Sequence, residues 1–140
     1  MGKWHNGAMP VILEKDLAQG RAAFEQWKQA ARQEPDGHTA NPRLPRQVKA
    51  MAVRFSLHLL EQKAPGPGVE VRVAPWGAVK ILDGPASDPH NLTPPDVIEL
   101  DPEVWLRLAT GITTWADEKD AGHITAVGER DDLSDLLPLY

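Results

Sequence analysis

The apolar positions change period along the chain. Between residues 15 and 33, Leu17, Phe24, Trp27 and Ala31 recur at helical spacing. Ala18, Ala22, Ala23 and Ala30 add helix propensity, and together they predict a first helix over 15–33. Residues 34–45, EPDGHTANPRLP, hold three prolines and one glycine and predict a loop. A second helix is predicted over 45–62, opening on Pro45, whose missing N–H suits a first turn. Val48, Met51, Ala52, Phe55 and Leu59 form its apolar stripe, and Val53, Leu57 and Leu60 widen it. Gln47, Arg54, His58 and Glu61 are left as the wet face. An apolar arc this broad belongs to a helix buried over much of its circumference. The run APGPG, residues 64–68, stops it.

Past residue 68 the period becomes two. Val69, Val71 and Val73 alternate with Glu70 and Arg72, the signature of a half-buried strand. Residues 74–77 can turn the chain, and AVKIL, 78–82, is a second strand, so the pair predicts an antiparallel hairpin. Residues 85–95 hold four prolines and predict another loop, followed by a third strand over 96–100. Asp101 is an N-cap candidate, Pro102 fits the first helical position, and Glu103 complements the helix dipole. Val104, Trp105 and Leu108 face one way, and Gly111 supplies the stop. Thr114 with Asp117 reads as a capping box for a helix over 114–121, ended by Gly122. Residues 123–127 alternate again, and Asp132 or Ser134 can cap a last short helix over 133–137. Helices segregated from a mainly antiparallel sheet of four to five strands predict an α+β fold.

The chain has 140 residues, one domain's worth. Residues 1–14 show no period and read as a flexible arm, leaving 15–140 as a single domain. There is no cysteine, which removes disulfides, thiolate metal sites and cysteine nucleophiles. The net charge of −5 gives no general attraction to a phosphate backbone, so nucleic acid is not an expected partner. No apolar run approaches the roughly 20 residues that span a bilayer, and the first apolar stretch is too short for a signal peptide. A cytoplasmic protein without stable membrane insertion is expected.

Candidate chemistry is sparse. His5, His38, His58, His90 and His123 include no pair at helical spacing for a metal. The acidic group Glu129, Asp131, Asp132 and Asp135 lacks the glycine and closing glutamate of a calcium loop. Asp117, Glu118 and Asp120 read as an exposed helix face. Ser56, Ser87 and Ser134 have no nucleophile-elbow setting, and there is no glycine-rich phosphate loop. The expectation is no enzyme, no metal and no cofactor. The aromatic set is skewed, with five tryptophans against two phenylalanines and one tyrosine. These indoles read either as core or as the rim of an apolar pocket.

The ordered layout DVIELDPEVWLRLATG followed by TTWADEKDAGHITAVGERDDLSDLLPL resembles the C-terminal half of the sterol-carrier-protein family, with its glycines matching Gly111, Gly122 and Gly128. Upstream, MAVRFSLHLLEQKAPGPGVEVRVAPWGAVKILDGP resembles the small bacterial members typical of actinobacteria, so the likeness covers about 45–140. It implies a sheet covered on one face by helices, an apolar tunnel between them, and non-catalytic binding or transfer of a lipid, fatty acyl or sterol-like molecule. The expected ligand wall is Phe55, Leu59, Val71, Val73, Trp105, Leu108, Ile112, Trp115 and Ile124. The alternative is an interaction or dimerisation module with a filled core.

Overall fold

The computed structural model describes residues 10–84 and 96–140. The proline-rich loop over 85–95, with His90 and Ser87, and the start of the arm, with His5, lie outside the described residues. The elements run α1 (Leu17–Arg32), α2 (Arg46–Lys63), β1 (Pro65–Val73), β2 (Gly77–Ile81), β3 (Asp96–Leu100), α3 (Pro102–Thr110), α4 (Trp115–Asp120) and β4 (Ile124–Val127). Single 3-10 turns lie at Glu14–Asp16, Gly37–Thr39 and Ser134–Leu136.

The strands form one four-stranded sheet in the order β2-β1-β3-β4. The pairs β1–β2 and β3–β4 are antiparallel, whereas β1–β3 is parallel, so the sheet is mixed but mainly antiparallel. β1 holds a central place, which fits its three valines. Val71 sits opposite Val79 on one side and Ile98 on the other. Residues paired across strands share a face, so these three side chains point into the core. The other face carries Arg72, which forms ion pairs with Glu70 and with Glu99.

Helix α2 touches α1, α3, β1 and β2. Its apolar arc is broad because it is enclosed from several sides. Even the expected wet positions Arg54, His58 and Glu61 are only half-exposed. Arg54 Nε donates to the Trp76 carbonyl at 3.1 Å. Helix α1 approaches α2 closely at Gly20, where a Cβ would stand 2.8 Å from Phe55 Cβ. Ala23, Phe24, Trp27 and Ala31 are buried in the same helix.

Several local expectations change. The APGPG segment ends α2 but also opens β1, with an irregular register between Pro65 and Val69. Gly66 lies so close to the Leu82 backbone that a side chain would overlap it. Asp101 occupies the N-cap position of α3 but makes no side-chain cap bond, while Thr114 and Asp117 complete both halves of their capping box. The expected helix over 133–137 shrinks to the turn Ser134–Leu136. Leu137 is extended there, as a residue before proline prefers. At the other end, Ile12 is buried in the core beside Gly20. The last residues of the chain also pack down: Leu139 N–H donates to the Ala109 carbonyl at 3.0 Å.

Candidate functional site

Successive helical residues are rotated by roughly 100°. In α2 this sends three neighbours to three partners. Phe55 faces α1, with its ring 6.2 Å from that of Phe24. Ser56 Oγ accepts the indole N–H of Trp105 in α3 at 2.8 Å. Leu57 packs against the start of β2 at Gly77. Leu59, one turn beyond Phe55, is half-buried.

The nine residues singled out in the sequence all belong to one apolar cluster. Phe55, Val71, Val73, Trp105, Leu108 and Trp115 are between 0 and 5% exposed, while Leu59, Ile112 and Ile124 sit half-buried at its margin. The structure therefore joins these residues in one interior, but it turns Phe55 toward α1. Of the indoles, Trp27, Trp105 and Trp115 are buried. Trp76 is half-buried, with the Arg46 guanidinium 5.8 Å from its ring centre.

A polar cluster that the sequence reading missed lies beside this interior. Glu118 is 2% exposed, not on a wet helix face. Arg107 Nε and Nη2 donate to its two oxygens at 2.7 and 3.0 Å, and Thr113 Oγ1 donates at 2.6 Å. His123 Nδ1 lies 2.8 Å from Glu118 Oε1. Burial alone would raise the Glu118 carboxyl, but bonds from Arg107, Thr113 and His123 outweigh it and bring the pKa down to about 2. Arg107 Nη1 also donates to the Ala40 carbonyl at 3.0 Å, tying the loop before α2 to α3. The available sequence signal was spacing: Glu118 falls three residues after the buried Trp115, on the same helix face.

Open clefts mark the surface of the described residues, three of them notable. One of about 380 Å³ and one of about 240 Å³ share Asp101 and His123 as lining. A third, of about 370 Å³, runs between α1 and α2 along Ala22, Ala23, Val48 and Met51. None of the three includes any of the nine apolar residues above. Among the described residues, no group of three or more histidine or acidic side chains is placed to hold a metal.

The family model described as bacterial SCP ortholog matches residues 45–139. The chain belongs to that family. A search of curated proteins gave no match. The match opens at Pro45, just before α2, and takes in the whole sheet, α3 and α4. Gly111, Gly122 and Gly128, the glycines that carried the resemblance, all adopt positive φ, at 78°, 77° and 107°. Helix α1 lies outside the matched span yet buries Phe24 and Trp27 completely. It is held there by the chain's end: Tyr140 Oη donates to Glu25 Oε2 at 2.6 Å, and the Tyr140 ring packs 5.6 Å from Phe24. Among the described residues, no helix is long and apolar enough to cross a membrane.

Proposed function

We propose that this protein binds an apolar molecule, a lipid, fatty acyl or sterol-like compound, without catalysis. The ligand lies between α2, the valine face of β1, and the segment from Trp105 to Trp115. The observation that carries this reading is the parity of β1. Val69, Val71 and Val73 are fully buried, while Glu70 and Arg72 are turned the other way. A slip of one residue would have put two charges against the interior. Membership of the SCP family supports the same reading.

A second reading is an interaction module with a filled core. It draws on the depth of the same residues: Val71, Val73 and Trp105 have 0% exposure, so a ligand has to displace side chains as it enters. Binding is then coupled to rearrangement and slower than encounter.

Titration with a long-chain acyl ester, followed by tryptophan fluorescence and by native mass spectrometry for a co-purified lipid, separates the two. Saturable binding with one-to-one stoichiometry is expected. No binding of acyl or sterol ligands up to their solubility limits would leave the interaction module in front.

A further inference from the structure

Among the described residues, buried polar side chains are nearly all paired. Ser56, Arg107, Thr110, Thr113 and Glu118 each have a hydrogen-bond partner within 3 Å. Among the described residues, two buried atoms break the pattern: the indole nitrogens of Trp27 and Trp115 have no acceptor. The third buried indole, Trp105, has Ser56 placed to receive it. A buried N–H without an acceptor is rare and destabilising, and an incoming acceptor would relieve that cost.

Trp115 is the more accessible of the two. Trp27 has no exposed surface and sits in the first helix against the second. Trp115 retains 5% exposure and follows the half-buried Ile112 at the margin of the apolar cluster. We propose that Trp115 Nε1 donates a hydrogen bond to an uncharged acceptor on the ligand, an ester or ketone carbonyl or a hydroxyl. This rests on the lipid-binding reading above.

The charge of the surroundings selects the class. Glu118 lies one turn along the same helix and is ionised at neutral pH, its carboxyl held down to about 2. Arg107, the buried cation beside it, directs its donors to Glu118 and to the Ala40 carbonyl. A ligand carboxylate entering here would meet a like charge and no uncommitted guanidinium. An unpaired buried anion is far costlier than a neutral acceptor.

The test compares ligands of equal chain length: a methyl ester, a primary alcohol, the plain alkane and the fatty-acid anion at neutral pH. The ester and alcohol are expected to bind at least tenfold more tightly than the alkane and the anion. Trp115→Phe should erase the ester-to-alkane ratio while alkane binding persists, which also shows that the variant is folded. Trp27→Phe should leave the ratio in place. In the wild-type protein with ¹⁵N-labelled tryptophan, the Trp115 indole N–H resonance should move downfield with ester and stay put with alkane. Equal binding of ester and alkane, a ratio lost in Trp27→Phe instead, tight binding of the anion, or an unmoved Trp115 resonance would each overturn the inference. If no ligand of the set binds, the lipid-binding reading itself fails.

Discussion

The indole of Trp105 and the hydroxyl of Ser56 meet at 2.8 Å in the middle of the core, joining α3 to α2 across 49 residues of sequence. Ser56 Oγ also lies 2.7 Å from the Ala52 carbonyl and 2.9 Å from that of Val53. Its proton goes back into its own helix, and its lone pair takes the indole N–H. Both groups have no exposed surface, so neither can turn to water.

Ser56→Ala leaves the Trp105 N–H buried and unpaired. A loss of about 1–3 kcal/mol is expected from denaturant melts. Trp105→Phe removes the donor together with packing area. In a double-mutant cycle the two substitutions should cost less together than their sum, since the second finds no bond left to break. Strict additivity would mean that the pair is not coupled.

Gly20→Ala should destabilise, against the usual direction. Alanine gains about 1 kcal/mol over glycine in a helix interior. Here the new Cβ would lie 2.7 Å from Ile12 Cδ1 and 2.8 Å from Phe55 Cβ. The isoleucine tip can move, but Phe55 Cβ is held by α2. Overpacking of about 1–3 kcal/mol outweighs the propensity gain. A raised melting temperature would show that α1 can shift away from α2 freely.

Acid should weaken the fold through Glu118. Its pKa is about 2 in the folded protein against an ordinary 4.5, because the bonds from Arg107, Thr113 and His123 outweigh burial. A carboxyl depressed on folding stabilises above its unfolded pKa, and that stabilisation is lost as pH falls from about 4.5 toward 2. The contribution at neutral pH is on the order of 3 kcal/mol. Glu118→Gln should flatten the acid limb of a stability-against-pH curve and lower stability at neutral pH, since Arg107 then stays buried without its counter-charge. An acid limb of unchanged slope would place the titrating groups elsewhere.

The chain has one tyrosine, so phenol titration reads Tyr140 alone. Burial first, and then its hydrogen bond to Glu25, push it up to about 12. An absorbance titration should show a midpoint well above 10. Glu25→Gln should lower that midpoint by removing the negative charge beside the phenolate. A wild-type midpoint near 10 would mean that the last residue does not clamp α1 in solution.

Much of this architecture could be read from one chain because it rests on local rules. The breadth of the α2 stripe, the two-residue period of Val69, Val71 and Val73, and the stops at Gly111 and Gly122 are set by neighbours in sequence. Helix and strand periods need no distant partner to be recognised. Three other features were decided by partners distant in sequence. The parallel pairing of β1 with β3 depends on where the chain returns after β2. The burial of Glu118 depends on Arg107, which arrives from another helix, and on Thr113 and His123 closing around it. The turn of Phe55 toward α1 depends on the close approach at Gly20. Sequence alone thus determined which residues are apolar and with what period. Only tertiary structure decided which partner each one meets, because a buried charge or an orphaned indole is defined by atoms far away in the chain.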